Sequence, residues 1–209
     1  MKILVACEYS GIVRDTFKRH GHDVYSVDTE PGEGQFPELH IQAPVEAVIK
    51  SERWDMLIAF PPCRFLSVAC PENSPDFLAD SMPMFEWRLK SQLRAVRFVE
   101  MLWQSGISHI CLENPVGYLP RLSHLGPPTM VFSPTIFGDD RQKRTCFWLR
   151  NLPTLFTELK GPLFGEPDGY PNTKWRDQTS GHYPEKRSKE RSKFHAKTAE
   201  AMAKQWSEI

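Results

Sequence analysis

One stretch of the sequence organises the rest of the chain: residues Trp54 to Cys70 read WDMLIAFPPCRFLSVAC. The apolar run Met56 to Phe60 predicts a buried strand. Two prolines follow, and because proline cannot donate a backbone hydrogen bond to a sheet, they end the strand and place Cys63 on a loop. A thiol presented there is a candidate nucleophile, although a free cysteine is more often a small buried side chain.

A second stretch has the same design. Residues Ile110 to Tyr118 read ICLENPVGY, which predicts a short apolar strand that ends in Glu113 and Asn114. The two strands would then deliver a thiol and a carboxyl group to the same edge of a sheet. In open α/β sheets that edge is where ligands bind, so we expect the active site there.

The composition is that of one globular domain. The chain has 209 residues, of which 40% are hydrophobic and 25% charged, enough to bury a core without disulfides or a metal. Lys and Arg balance Asp and Glu at 26 each, so any basic surface for nucleic acid must be local. The sequence contains no long apolar run, and five scattered cysteines without a Cys-x-x-Cys pair favour a reducing compartment. We therefore expect a soluble, cytoplasmic protein with no membrane partner and no metal site.

The beginning of the chain predicts a strand, helix, strand unit. The strand Lys2 to Cys7 leads through a turn into a helix from Ile12 to His20, and a second strand runs from His22 to Asp28. Asp28 lies about 20 residues after the first turn, where an acid commonly holds the ribose of a cofactor in doubly wound folds. It could equally be a surface aspartate that opens the Pro/Gly-rich loop from Thr29 to Pro37.

The remaining elements follow in order. We predict a short strand or turn at His40 to Pro44, a short helix from Val45 to Glu52, a polar excursion from Pro71 to Pro83, a long helix from Met84 to Gln104, strands at Met130 to Phe132, Thr135 to Phe137 and Cys146 to Leu149, a loop-like cover from Asn151 to Tyr183, and a last helix from Thr198 to Trp206. The apolar residues of the long helix are predicted to lie in the core: Phe85, Leu89, Leu93, Val96, Val99, Met101 and Trp103. In the last helix Ala199, Met202, Ala203 and Trp206 share one face. The basic segment Tyr183 to Lys197 is either a phosphate-facing surface or a plain solvated face.

These motifs together resemble cytosine-5 DNA methyltransferases, in particular the compact enzymes carried by bacteriophages. The resemblance rests on Pro61-Pro62-Cys63, Glu113-Asn114, Asp28 and Gln142-Lys143-Arg144, and it spans Ile3 to about Leu149 and more loosely Arg191 to Trp206. It implies an α/β fold, a Rossmann-like doubly wound, mostly parallel sheet of the S-adenosylmethionine-dependent methyltransferase type. The implied organisation is a catalytic core over residues 1–149, a loop-rich cover over 150–190 and a C-terminal helix over 191–209 that packs back on the core.

The resemblance also implies roles for individual residues. Cys63 matches the nucleophile, Glu113 the carboxyl that grips the base, and Arg144 the arginine of the Gln-x-Arg motif, while Asn114 would hold that carboxyl or the loop in place. The cofactor would be S-adenosyl-L-methionine, and its implied contacts are Glu8, Tyr9, Ser10, Gly11, Asp28, Ile41 and Pro61. The implied substrate contacts are Arg64, Ser67, Gln142, Lys143, Arg187, Arg191 and Lys193.

The implied activity is DNA cytosine-5 methylation, with duplex or single-stranded DNA as the partner. Only 41 residues separate Leu149 from Arg191, too few for a large target-recognition domain, so we expect short or no sequence specificity. Three alternatives remain open. The substrate could be another pyrimidine, in a nucleotide, single-stranded DNA or RNA; the chain could be a non-catalytic nucleic-acid-binding relic of the fold; or Cys63 could act as a hydrolase nucleophile with His109 or His124.

Overall fold

The computed structural model describes residues 1–68, 82–140, 144–157 and 192–209. The predicted substrate contacts Gln142, Lys143, Arg187 and Arg191 lie outside these residues, as do most of the polar excursion and most of the loop-like cover. The seven strands are β1 (Lys2–Ala6), β2 (Asp23–Asp28), β3 (His40–Gln42), β4 (Met56–Ala59), β5 (His109–Pro115), β6 (Met130–Phe132) and β7 (Thr145–Arg150). The α-helices are α1 (Ile12–Arg19), α2 (Val45–Val48), α3 (Met82–Trp103), α4 (Leu119–Leu122) and α5 (Ala196–Trp206).

The strands form one sheet in the order β3-β2-β1-β4-β5-β7-β6. The first five strands pair in parallel, and β7 runs antiparallel between β5 and β6. The chain first builds outward from β1 to β3 and then crosses back to place β4 on the other side of β1. This confirms the predicted fold class at the level of a Rossmann-like doubly wound, mostly parallel sheet, with its topological switch point between β1 and β4.

Two cores cover the two faces of the sheet. The buried, uninterrupted apolar runs of β1 and β4 are what a parallel strand with helices on both sides requires. On one face α2 and α3 pack over Leu4, Leu57, Leu112 and Trp148. On the other, α1 and α5 pack over alternate residues of the same strands, and the predicted apolar face of α5 is fully buried there: Ala199, Met202, Ala203 and Trp206.

Three sequence predictions about the elements differ from the structure. Leu89 and Leu93 are 38% and 56% exposed, because α3 turns the side that carries Arg88 and Gln92 towards the molecule in its first half. Thr135 to Phe137 is part of a 3-10 helix over Pro134–Phe137 rather than a strand, since Pro134 begins it and Gly138, with a φ of 92°, ends it. The short helix predicted from Val45 to Glu52 ends at Val48.

In the part of the chain that the structure describes, no helix is both long enough and apolar enough to cross a lipid bilayer.

Candidate active site

The carboxyl ends of five parallel strands meet at one edge of the sheet. Asp28 is the last residue of β2, and Glu113 lies near the end of β5. β4 and β5 pair in parallel up to Ala59 opposite Leu112, so Phe60 and Glu113 continue that register. The segment that follows β4, and with it Cys63, therefore leaves the sheet beside Glu113.

Residues Pro61 to Ser67 form a tight turn that we call the thiol loop. The carbonyl of Cys63 accepts hydrogen bonds from the backbone N–H groups of Leu66 (3.0 Å) and Ser67 (2.9 Å). The side chain of Leu66 is fully buried and anchors the turn, while Cys63 itself is half-buried. The exposed Arg64 guanidinium lies 5.5 Å from the ring centre of Phe65. The loop thus presents a thiol from a fixed backbone.

Three neighbouring segments hold the thiol loop from outside. The Asn114 amide in β5 donates to the carbonyl of Pro61 (3.2 Å), and the Gln92 amide in α3 donates to that of Phe65 (3.0 Å). After β5, the backbone N–H of Tyr118 donates to the carbonyl of Leu66 (2.8 Å). Asn114 is 1% exposed, and its Oδ1 is the one buried side-chain polar atom without a partner in the described part of the chain.

Gly117 is a site residue that sequence reasoning missed. It forms an antiparallel bridge with Ser67, and a Cβ at this position would lie 1.9 Å from the carbonyl oxygen of Leu66. Any side chain would therefore push the segment after β5 away from the thiol loop. The available signal was its position three residues after Asn114, in a stretch already singled out.

The other described thiols are unlike Cys63. Burial raises the pKa of the Cys111 thiol well above its usual value, and the same cause raises that of Cys146 to about 11. The charge of Glu113 acts in the same direction on both, which places a negative field at the end of β5. Burial also raises the pKa of Cys7. These three thiols are protonated at neutral pH and are poor nucleophiles.

Negative charge surrounds the end of β1. Cys7 follows β1 with a φ of 59°, and its backbone N–H donates to the carbonyl of Val27 (2.8 Å). After burial, the charges of Asp28 and Glu46 are the next causes that raise the pKa of its thiol. Asp28 accepts a hydrogen bond from the backbone of Glu30 (3.0 Å) and remains half-exposed at the strand tip.

The N-terminus of α1 is closed by the chain itself. Glu8 is 4% exposed and accepts hydrogen bonds from the backbone N–H groups of Val13 (2.8 Å) and Arg14 (3.3 Å). Ser10 Oγ and the Gly11 carbonyl accept those of the neighbouring helical residues. Burial raises the pKa of Glu8 and these bonds oppose the rise. No N–H of this first turn is left to bind a ligand phosphate.

The loops after β1 and β2 are locked together by a fully buried arginine. Arg14 donates to Asp15 Oδ1 (2.8 Å), Ser26 Oγ (3.0 Å) and the carbonyl of Glu33 (2.6 Å). Gly11, with a φ of 73°, packs against it, and a Cβ there would lie 2.3 Å from the guanidinium. The predicted cofactor loop therefore has a fixed shape.

The segment before α5 crosses the same edge. Ser192 Oγ lies 3.4 Å from the Tyr9 hydroxyl, and the ring of Phe194 lies 4.6 Å from that of Phe60. Lys193, a predicted substrate contact, forms an ion pair with Glu33 at 3.2 Å. Tyr9 is thereby covered by the C-terminal segment.

The remaining predicted site residues differ in exposure. Ile41 and Ser67 are half-buried, Pro61 is buried, and Arg144 is exposed immediately before β7.

One of the two histidines proposed as the base of a hydrolase is too far from the site. His109 begins β5 at the end opposite Glu113, about 13 Å away along the strand. His109 instead lies against the carbonyl of Asp55 (3.1 Å). The described residues include no cluster of three His, Cys, Asp or Glu side chains that could hold a metal ion.

The chain is similar to two solved structures. No protein-family profile and no curated protein matches the sequence. Among solved structures, the chain is similar to a proposed DNA modification methyltransferase encoded within an E. coli prophage, with 17% identity, 80% of this chain and 56% of that chain covered, and a TM-score of 0.47. It is also similar to a triple alanine variant of Spodoptera frugiperda DNMT2, at 17% identity, 80% and 53% coverage and a TM-score of 0.38. The chain spans about half the length of these two structures.

Proposed function

We propose that this protein is an S-adenosyl-L-methionine-dependent DNA cytosine-5 methyltransferase that uses Cys63 as its nucleophile, with short or no sequence specificity. The observation that carries the proposal is the hydrogen bond from Asn114 to the carbonyl of Pro61. It joins the strand end that bears Glu113 to the loop that bears Cys63. A nucleophile and a carboxyl group are thereby supported by one rigid unit, as a covalent reaction at a ring requires.

The residues around the ends of β1 and β2 fit S-adenosyl-L-methionine better than a phosphate-bearing cofactor. A dinucleotide would need the free N–H groups at the start of α1, which Glu8 already occupies. A sulfonium is positive and carries no phosphate, so the negative field around Asp28 and Glu46 favours it. Asp28 would hold the ribose hydroxyls, and Ile41 and Pro61 would contact the remainder. When bound, this cofactor supplies an electrophilic methyl group.

The chemistry explains the need for both side chains. C5 of cytosine is a weak nucleophile, so the Cys63 thiolate first forms a bond to C6 and shifts an electron pair towards C5 and N3. Glu113 stabilises the adduct by a hydrogen bond at N3, and Arg144 helps to hold the base. C5 would then accept the methyl group that the bound cofactor supplies, and the cofactor would leave as its uncharged thioether. Loss of the C5 proton to a base and departure of the thiolate restore the aromatic ring.

The target base must leave the stack before this reaction can take place. C6 is inaccessible inside a duplex, and extruding a base costs a few kcal/mol, less when the strand is already single. The half-buried position of Cys63 on a fixed loop suits a base that enters from outside.

The test is a transfer assay with methyl-labelled S-adenosyl-L-methionine. Duplex DNA, single-stranded DNA, RNA and free nucleotides are incubated with the protein, and the products are digested to nucleosides. We expect 5-methylcytosine from DNA. Cys63→Ser should abolish transfer and leave cofactor binding, measured by calorimetry, close to that of the parent. Cys111→Ala, which removes a buried thiol from the middle of β5, should retain transfer. Equal activity of Cys63→Ser and the parent would refute the proposal.

A further inference from the structure

The first half of α3 carries an exposed face that joins aromatic and basic residues. Trp87 is 44% exposed, and its ring meets that of Phe65 edge to face, with ring centres 5.4 Å apart. Lys90, Arg94 and Arg97 are exposed on the same side of the helix. Glu86 is the one acid among the exposed residues of α3, and its carboxylate is paired with Lys90 at 3.4 Å. We call Trp87, Lys90, Arg94 and Arg97 the α3 face.

The α3 face is connected directly to the thiol loop. Phe65 lies two residues after Cys63, and the Gln92 amide on the buried side of α3 binds the Phe65 carbonyl at 3.0 Å. Trp87 therefore has a fixed position relative to Cys63. From Trp87 the three cations lead away from the loop along the helix.

We propose that the α3 face binds the nucleic-acid strand that flanks the target base, with one base stacked on Trp87 and the backbone phosphates on Lys90, Arg94 and Arg97. This inference rests on the proposed function and adds to it a site for the strand on either side of the target base. An exposed tryptophan beside cations is the combination that single-stranded nucleic acid requires, because every base has a face that can stack and every nucleotide carries a phosphate.

The dimensions of the face agree with this occupant. Lys90 to Arg97 spans about 10 Å of helix, which is the length of a few consecutive nucleotides of one strand. Glu86 is neutralised by Lys90, so Arg94 and Arg97 give the face a net positive charge although the whole chain has none.

The test measures binding without the reaction. The full chain, without cofactor, is titrated against labelled single-stranded DNA, the matching duplex and the same RNA sequence over a range of salt concentrations. Trp87→Ala should weaken single-strand binding about 10-fold, and Trp87→Phe should restore most of it. Arg94→Gln combined with Arg97→Gln should lower the slope of log affinity against log salt by about 1.5.

Matched controls lie on the opposite side of the sheet. Phe156→Ala removes an exposed aromatic ring, and Lys18→Gln combined with Arg19→Gln removes two cations from α1. Neither should change binding. Thermal melting of each variant reports whether it is folded, and Trp87→Phe keeps the ring contact with Phe65 if Trp87→Ala unfolds.

The outcomes separate this inference from the proposed function. If the α3 variants bind like the parent while DNA is methylated, the α3 face is not the strand site and the proposed function stands. If they lose binding while no methyl group is transferred, the strand site stands and the proposed function falls. A change in oligomeric state without a change in nucleic-acid affinity would assign the α3 face to a protein contact and overturn the inference.

Discussion

Asn114 connects the two halves of the candidate site through a single donor. Its Nδ2 group reaches the carbonyl of Pro61, and its Oδ1 has no partner in the described residues. A buried amide with one satisfied end costs stability, so its presence indicates that the bond to the thiol loop matters more than the unpaired acceptor.

Asn114→Asp should be strongly destabilising. The change places a carboxylate oxygen opposite the Pro61 carbonyl and buries a charge, and we expect a loss of about 2–4 kcal/mol in the free energy of unfolding. The control is Asn151→Asp, since Asn151 makes a similar bond to the Ser108 carbonyl (2.8 Å) but is exposed. The control should lose less than about 1 kcal/mol. Urea denaturation measures both, and equal losses would contradict this role for Asn114.

For single residues, the sequence predicted which side chains lie at the site better than it predicted the contacts that these side chains make. Cys63, Glu113 and Asp28 could be singled out because each follows an apolar run, and strand ends are visible in hydrophobic patterns. Gly117 could not, because its requirement comes from the carbonyl of Leu66, which is distant along the chain. Glu8 was singled out as a cofactor contact, but its carboxylate accepts hydrogen bonds from the first N–H groups of α1.

Among the elements, α5 depends on a residue far from it in sequence. His195 stands at its N-cap position without a side-chain cap, and Asp139 accepts hydrogen bonds from the backbone N–H groups of Lys197 (3.0 Å) and Thr198 (2.9 Å). The Thr198 hydroxyl adds a third bond at 2.8 Å. Asp139 therefore caps a helix from the segment that leads into β7.

Asp139→Ala should uncap α5 and lower stability by about 1–2 kcal/mol, because three donors lose their acceptor. Asp140 is the matched control, since it is adjacent and exposed, and Asp140→Ala should change stability by no more than about 0.5 kcal/mol. Thermal denaturation of the two variants and the parent provides the comparison. Indistinguishable melting of Asp139→Ala and Asp140→Ala would show that the cap is dispensable.

The elements themselves were mostly predictable, and the exceptions have local causes. The parallel strands could be recognised as uninterrupted apolar runs, and α5 by its periodic face. The 3-10 helix at Pro134–Phe137 was not recognised, since a three-residue apolar run does not separate a strand from a single helical turn. For α3, apolar residues lie on several sides of the helix, so periodicity selected Leu89 and Leu93 although that side is exposed.

For the whole molecule, His22 makes stability depend on pH at the edge opposite the candidate site. It is 8% exposed, its Nε2 lies 2.7 Å from Ser207 Oγ after α5, and its ring packs on that of Phe17. Burial lowers the pKa of His22, and the charged amino terminus and His20 act in the same direction. The unfolded chain therefore binds a proton more readily than the folded one.

The sign of the effect follows from that difference. The stability that neutral His22 contributes is present above its unfolded pKa of about 6.5 and is lost as pH falls through the folded value. His22→Gln keeps a side chain that can bind Ser207 and should flatten the loss of stability below about pH 6.5. His124→Gln, at an exposed position, should keep the slope of the parent. Urea denaturation over this range measures the slopes, and an unchanged slope in His22→Gln would refute the assignment.

The overall architecture could be predicted to the level of fold class and no further. A thiol and a carboxyl group at successive strand ends imply a parallel sheet with a ligand edge. The antiparallel insertion of β7 beside β5, and the passage of Phe194 over Phe60, depend on contacts between distant segments that no local pattern encodes.

The sealed first turn of α1 has a consequence for inhibition. Glu8 occupies the amide groups at the start of α1, and Asp28 lies at the end of the neighbouring strand β2. The site therefore selects ligands by the sign of their charge. On the proposed function, nucleoside analogues with a permanent cation in place of sulfur would compete well, and diphosphates would be repelled. The uncharged thioether product would be released more readily than the cationic methyl donor. Inhibition of the enzyme by this product would therefore be weak.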